Sequence, residues 1–314
     1  MPAVGWRDPR GACDCAENDV ANAFDLVVNK AAISDLMAAS QSMYPRSTKI
    51  VCVLGMHRSG TSLLMRLLNF VGVELGPAER LQGPTTANPT GYWEHRDIRT
   101  INDEILLRLG GSWRDPPAFP YQWEARADFD DLRAQATAIA ERDFPAASTW
   151  GFKDPRTCLT LPFWLGLFPA MQYVLCIRHP VDVALSMENS PRLEYQGVTL
   201  AHALSLWPRY VAASIASTID RRRCYVRYDD LIERPSEEIA RVEMEIGLER
   251  AGTSGESMRG VVAFVRPALR HHRSGADSAI QLPAPTQELL DAILASQRDE
   301  SRLDELAVRI VAGG

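Results

Sequence analysis

The sequence predicts an α/β fold in which a parallel sheet is the middle of three layers and helices cover both of its faces. Three short apolar runs, at 50–54, 172–177 and 224–228, have the composition of buried strands. Each run is followed by a loop and a segment with helical spacing of apolar residues, which is the order of a β-α-β unit. Because ligands bind such sheets at the carboxyl ends of the strands, a site is expected there.

The first unit has a strand at 50–54, a glycine-containing loop at 55–60 and a helix at 61–70. Pro180 begins the helix after the second strand, since proline is favoured in a first helical turn. Residues 150–152 are a fourth candidate strand. Further helices are expected at 97–109, 129–142, 200–217, 237–246 and 287–296.

Two regions lie outside this pattern. Residues 1–45 are expected to form an N-terminal helical extension that ends at Pro45, which leaves 46–314 as a single α/β domain with a helical C-terminal part. The segments 72–96 and 110–121 are long, irregular and rich in proline. Such segments either line a binding cleft or wrap the surface.

The composition is that of a globular protein, with 314 residues, 46% hydrophobic and 24% charged. A net charge of −6 argues against a general nucleic-acid or membrane-surface binder, because phosphates would be repelled. No apolar stretch is long enough to span a bilayer and no signal peptide is visible, so a cytoplasmic protein is expected.

The positions of the cysteines indicate which of them are buried, and lysine is rare in the sequence. Cys52, Cys176 and Cys224 lie in the apolar runs and are expected to be core residues, whereas Cys13 and Cys15 are expected to be surface thiols. Only three of the 34 basic residues are lysines, namely Lys30, Lys49 and Lys153.

The loop at 55–62, GMHRSGTS, fits the phosphate-loop pattern G-x-x-x-x-G-x-[ST] between a strand and a helix. Its backbone amides and the helix N-terminus favour an anion. Thr61 stands where the triphosphate-binding lysine is expected, and the nearest cation is Arg58. The loop therefore suits a terminal anion without a metal. A nucleotide-dependent kinase and a non-catalytic adenine-nucleotide-binding module remain alternatives.

A second motif, RHPVDVALS at 178–186, places Arg178 at a strand end and Ser186 on the following helix. A guanidinium and a hydroxyl at the ligand edge of the sheet suit another phosphate. An ion pair between Arg178 and Asp182 would explain part of the pattern. His179 is expected to cap the helix.

Together these motifs resemble the sulfotransferases that use 3′-phosphoadenosine 5′-phosphosulfate. VLGMHRSGTSLL is similar to the family's 5′-phosphosulfate loop, CIRHPVDVALS to its 3′-phosphate motif and VRYDDLIERP to its Y-[DE]-[DE]-L segment. ASTWGFKDPR and NPTGYWEHRD resemble segments of bacterial members. The similarity runs from about residue 49 to 235, and more weakly over 267–275.

The resemblance implies a phosphate-loop sulfotransferase fold and a set of donor ligands. The 5′-phosphosulfate would be held by Arg58, Ser59, Gly60, Thr61 and Ser62. Arg178 and Ser186 would hold the 3′-phosphate, and Tyr228 would contact the adenine side. Leu63 stands where eukaryotic members often have an adenine-stacking tryptophan. Arg270 and Arg273 either substitute for a missing 3′-phosphate loop or form a solvated basic face.

The resemblance also implies sulfuryl transfer to a hydroxyl, with 3′,5′-ADP as product and no metal. Arg58 and Lys153 are the candidate cations for the leaving oxygen. Glu94 is the candidate base, with His95 as the alternate; a helix-start charge is the other interpretation of Glu94. His57 is expected to be structural or acceptor-facing.

The acceptor is expected to be a small molecule, glycan or glycolipid, in bacterial secondary metabolism or glycan modification. Aromatic residues in the two irregular segments, or just after the second, favour a large or partly apolar compound; they are Tyr92, Trp93, Trp113, Phe119, Tyr121 and Trp123.

Overall fold

The computed structural model describes residues 48–85, 88, 90–248, 255–265, 280–295 and 300–313. The predicted N-terminal extension, Cys13, Cys15, Arg270 and Arg273 lie outside these residues.

Four strands form one parallel sheet: β1 (Lys49–Leu54), β2 (Thr149–Lys153), β3 (Gln172–Ile177) and β4 (Arg223–Arg227). Their order is β2-β1-β3-β4, so the strand before the phosphate loop is central. Val53 of β1 pairs with Lys153 of β2 and Val174 of β3. This register brings the carboxyl ends of three strands to one edge, as the sequence predicts.

Helices cover both faces of the sheet, which confirms the predicted α/β class. The described helices are α1 (Thr61–Phe70), α2 (Arg96–Arg108), α3 (Asp130–Asp143), α4 (Thr157–Leu167), α5 (Pro180–Glu188), α6 (Leu200–Ala216), α7 (Tyr228–Glu233), α8 (Pro235–Glu245), α9 (Gly255–Phe264), α10 (Ala284–Ala295) and α11 (Glu300–Gly313). Short 3₁₀ turns lie at Ala78–Arg80, Trp123–Ala125, Ala127–Phe129 and Leu193–Tyr195.

The alternation of side chains along β1 divides the core in two. Ile50, Cys52 and Leu54 pack into the larger cluster with α4, α6 and α11, while Val51 and Val53 pack into a second cluster with α1 and α8. Because every one of these side chains is buried, β1 has the continuous apolar sequence of a two-faced parallel strand.

Four helices were absent from the prediction: α4, α7, α9 and α11. Helix α4 is apolar on nearly all sides and contains Pro162, so it has no 3.6-residue polar period to detect. The strand predicted at 224–228 ends one residue early, because Tyr228 begins α7. Asp229 and Asp230 stabilise that helix start through their charge.

None of the helices in the described part of the chain has the length and apolar character needed to cross a bilayer. The cysteine prediction is confirmed for the core positions, since Cys52, Cys176 and Cys224 are buried and free.

Candidate active site

A cleft opens at the carboxyl ends of β1, β2 and β3. One side of it is formed by the phosphate loop at 55–62 and by Arg178, and we call this the phosphate-loop half. The other side is formed by Arg99, Arg156 and Arg192, and we call this the arginine half. Lys153 and Glu94 also line the cleft.

Gly60 gives the phosphate loop its shape. It has a φ of 95°, and a Cβ atom there would lie 2.2 Å from Cδ2 of the Tyr228 ring. It also precedes α1 and brings no side chain to cap that helix. The first amides of α1 therefore keep their hydrogen-bonding capacity for an anion at the loop.

Two buried thiols hold the loop from below. The backbone N–H of Gly55 donates to Sγ of Cys158 at 3.1 Å, and the thiol of Cys176 donates to the Ser59 carbonyl at 3.1 Å. Burial raises the pKa of Cys158 to about 11 and the pKa of Cys176 to about 12. Both groups therefore remain uncharged thiols at neutral pH and add no negative charge beside the loop.

The second predicted motif meets the loop directly. Nη1 of Arg178 donates to the Arg58 carbonyl at 3.1 Å, and Nε of Arg58 donates to Oγ of Ser186 at 2.9 Å. The Arg178 guanidinium lies 4.6 Å from the centroid of the Tyr228 ring. Arg58, Arg178, Ser186 and Tyr228, which the sequence spreads over 171 positions, thus share one wall of the cleft.

Lys153 and Glu94 form an ion pair at the cleft floor. Nζ of Lys153 donates to Oε1 of Glu94 at 2.5 Å, and the side chains are only 2% and 9% exposed. Among the described residues, no donor reaches Oε2 of Glu94. Lys153 thus stands at the end of β2 as predicted, with a carboxylate of the 72–96 segment beside it.

Two predicted site residues do not line the cleft. Ser59 is a buried residue of the loop, and its N–H donates to the Met56 carbonyl. His95 points to α3, where its Nε2 lies 2.9 Å from Oδ2 of Asp143. Burial lowers the pKa of His95 against the opposing effect of Asp143. The structure thus gives His95 a partner outside the cleft.

The two other histidines of the motifs are also placed. Nδ1 of His179 accepts the Val181 N–H at 3.3 Å, which confirms the predicted helix cap. His57 lines the cleft, its Nδ1 lies 3.1 Å from the Tyr195 hydroxyl, and its ring centroid lies 4.5 Å from that of Trp113. Burial first, and then the charges of Arg156, Lys153, Arg192 and Arg99, lower the pKa of His57 far below its usual value.

The sequence profile of the sulfotransferase family matches residues 51–252. The chain belongs to the sulfotransferase family. No curated protein matches it. Among solved structures, the chain is similar to sulfotransferase STF1 from Mycobacterium tuberculosis H37Rv, with 16% sequence identity. The match covers 77% of this chain and 86% of that chain, and its TM-score is 0.43.

Two further structures have similar scores. The sulfotransferase domain of the Synechococcus PCC 7002 olefin synthase is 20% identical to this chain and has a TM-score of 0.42. That match covers 81% of this chain and 96% of the domain. Mouse sulfotransferase SULT7A1, solved with PAP, is 10% identical to this chain and has a TM-score of 0.37. That match covers 90% of this chain and 94% of the mouse protein.

The arginine half of this sulfotransferase was absent from the predicted site. Arg99 comes from α2, Arg156 follows β2, and Arg192 precedes the turn Leu193–Tyr195. Arg156 forms a salt bridge with Asp154, with Oδ1 and Nη1 2.9 Å apart. With so many arginines in the chain, nothing local in the sequence distinguishes these three from surface residues.

The aromatic residues that suggested an apolar acceptor lie mostly elsewhere. Of the six, only Tyr92 lines the cleft. Trp113 and Trp123 are buried in the core, and Tyr121 is exposed. The expectation of a partly apolar acceptor thus loses its basis, because the 110–121 segment does not line this cleft, whereas the 72–96 segment does.

Proposed function

We propose that this sulfotransferase moves a sulfuryl group from 3′-phosphoadenosine 5′-phosphosulfate to a hydroxyl of a small-molecule or glycan acceptor. One observation carries the proposal. The hydrogen bonds from Arg178 to Arg58 and from Arg58 to Ser186 bring two anion-binding motifs into one cleft, which suits a donor with two anionic ends.

The phosphate loop would take the 5′-phosphosulfate. Gly60, Thr61 and Ser62 line the cleft at the start of α1, where amides and the helix dipole favour negative charge. Arg58 adds a guanidinium beside them. Ser59 would support the loop through its backbone rather than contact the donor, since it is buried and does not line the cleft.

Arg178 and Ser186 would take the 3′-phosphate, the group that distinguishes this donor from ATP and ADP. Burial lowers the pKa of Arg178, yet a guanidinium stays protonated at neutral pH. Tyr228, packed between Gly60 and Arg178, would support the nucleoside.

The reaction would be an in-line displacement at sulfur. The acceptor oxygen forms a bond to sulfur, while the bond from sulfur to the bridging oxygen of the donor breaks. The electron pair of that bond stays on the leaving 3′,5′-ADP. Lys153 and Arg58 would stabilise this charge, because cations that are already fixed in position need little reorganisation.

The acceptor proton would pass to Glu94. Its Oε1 is held by Lys153, which leaves Oε2 for the acceptor hydroxyl. His95 is the weaker candidate base, since Asp143 holds its ring outside the cleft lining.

Titration calorimetry with 3′,5′-ADP, ADP and ATP tests the donor assignment. We expect 3′,5′-ADP to bind at least roughly tenfold more tightly than ADP, because Arg178 gains a charge-assisted contact. We expect EDTA to leave that affinity unchanged. Equal affinities would contradict the 3′-phosphate site, and ATP-dependent phosphorylation would favour a kinase.

We also propose that residues 46–314 act as one domain in the cytoplasm. In support, Leu289 of α10 and Leu303 of α11 pack into the same core cluster as β1.

A further inference from the structure

The residues that line the cleft carry more positive than negative charge, even without the cations that the proposed donor would use. The described lining residues include six cations, Arg58, Arg99, Lys153, Arg156, Arg178 and Arg192, but only two carboxylates, Glu94 and Glu194. The proposed donor uses Arg58 and Arg178, and Lys153 is paired with Glu94. In the arginine half, three guanidinium groups and one carboxylate, Glu194, then line the cleft, while Asp103 and Asp154, which pair with Arg99 and Arg156, do not line it.

These three guanidinium groups are close neighbours, because they share carboxylates. Glu194 lies 2.7 Å from Nη2 of Arg192 and 3.9 Å from Nη2 of Arg99. Asp103 contacts both Arg99 and Arg156. The charges of all three arginines also act together on buried His57, whose pKa they lower.

Arg156 is oriented by acids that lie behind it. Its side chain is 3% exposed, its Nε contacts Asp103 and its Nη1 lies 2.9 Å from Oδ1 of Asp154. Neither Asp103 nor Asp154 lines the cleft, whereas Arg156 does. Within the part of the chain that the structure describes, no acceptor reaches Nη2 of Arg156. The buried guanidinium of Arg156 is thus held in place by two acids, and its Nη2 can still donate a hydrogen bond to a ligand.

Arg192 is fixed in a different way. Its guanidinium carbon lies 4.2 Å from the centroid of the Tyr92 ring and 5.3 Å from that of Tyr195. Cation–π contacts of this kind fix the plane of the group while leaving N–H groups at its edge for hydrogen bonds. The two rings are also covered by Arg192, which makes them poor platforms for an apolar acceptor.

We propose that the arginine half is an anion subsite and that the acceptor is a hydroxyl compound bearing a carboxylate or a similar anionic group. The anion would be held by Arg156 and Arg192, with Arg99 beside them, while the hydroxyl reaches Glu94. Arginine suits this task because its planar fork matches a carboxylate. The inference rests on the proposed function, because it assigns the arginine half to the acceptor and not to the donor.

The test is ligand-observed NMR on the full chain saturated with 3′,5′-ADP. The probes are matched pairs that differ in one charged group: glycolate with ethylene glycol, and 4-hydroxyphenylacetate with 4-hydroxyphenethyl alcohol. We expect the carboxylate in each pair to bind at least roughly tenfold more tightly. Equal binding within both pairs, or no carboxylate binding at about 10 mM, where millimolar affinity would be visible, overturns the inference.

Arg192→Gln is the variant of choice, because the Arg192 side chain is 15% exposed whereas that of Arg156 is 3% exposed. We expect it to weaken carboxylate binding roughly tenfold, while the affinities for ethylene glycol and 3′,5′-ADP stay unchanged. Arg309→Gln, on the exposed side of α11, is the matched control. If Arg192→Gln weakens 3′,5′-ADP as well, the arginine half belongs to the donor and the inference is wrong.

The two proposals can fail separately. If 3′,5′-ADP binds and the carboxylates show no preference, only the anion subsite is refuted. If 3′,5′-ADP does not bind, the proposed donor is refuted, and the same probe pairs added to the unliganded protein still decide whether the arginine half prefers an anion.

Discussion

The two halves of the cleft are built in different ways. The phosphate-loop half comes from one continuous stretch, β1 through α1, joined by the Arg178 motif after β3, and it presents backbone amides and glycine as much as side chains. The arginine half is assembled from three distant segments and holds its charges by ion pairs. The first is a geometry that a short motif encodes, whereas the second exists only in the folded chain.

This difference suggests separate tasks. A backbone cradle at a helix N-terminus recognises a phosphate of any carrier and tolerates little change in shape. A side-chain network can change its specificity by single substitutions while the fold stays the same. We therefore expect donor recognition to depend on the shape of the loop, and acceptor recognition to depend on charge.

The largest expected effect is at Glu94, which lines the same cleft as both halves. Glu94→Gln keeps the size of the side chain and can still accept a hydrogen bond from Lys153, but it cannot take a proton. We expect turnover in a sulfate-transfer assay to fall by about 10²–10⁴-fold. His95→Gln, the neighbouring control, should keep turnover within a few-fold. The opposite pattern would assign the base to His95.

The next prediction tests whether donor binding depends on the backbone shape of the phosphate loop. In Gly60→Ala, the new methyl group would clash with the Tyr228 ring in a left-handed conformation. We expect the affinity for 3′,5′-ADP, measured by calorimetry, to fall roughly 10- to 100-fold. Gly72→Ala is matched in backbone conformation, with a φ of 102° and nothing within 4 Å of the added atom. Equal losses of affinity in both variants would contradict the clash with Tyr228.

A smaller effect tests charge in the same half. Arg178→Ala should weaken 3′,5′-ADP binding by roughly tenfold or more and raise the donor KM, while kcat at saturating donor changes less. Arg309→Ala, on the exposed side of α11, is the control for loss of an arginine. If Arg178→Ala instead lowers kcat and keeps the donor KM of the wild type, Arg178 acts in the chemical step and not in donor binding.

The smallest effect concerns stability and pH. Burial and four cations keep His57 neutral in the folded protein, whereas an unfolded histidine takes up a proton near pH 6.5. The unfolded state therefore binds more protons below that pH, and stability should fall as the pH drops from 7 to 5. His57→Gln should show a shallower fall of Tm than the wild type over this range. A fall of Tm as steep in His57→Gln as in the wild type would contradict this role of His57.

Much of the fold and half of the site were predictable from sequence. The unit from β1 through α1, the strand at β3 and the His179 cap follow from short-range patterns in the sequence. Lys153 is distinctive in the sequence because lysine is rare in this chain. Helix α4 was missed because it is apolar on nearly all sides, so no period distinguishes it from a loop or a strand.

The sequence by itself determined the parallel sheet, the phosphate loop and the Arg178 motif, since each depends on local backbone preferences and on residues a few positions apart. Only the tertiary structure decided that Cys158 supports the loop, that His95 turns to Asp143, and that Arg99, Arg156 and Arg192 converge on one cleft. The physical reason is that these contacts join residues far apart in the chain, and an arginine has the same local signature whether it meets solvent or a ligand.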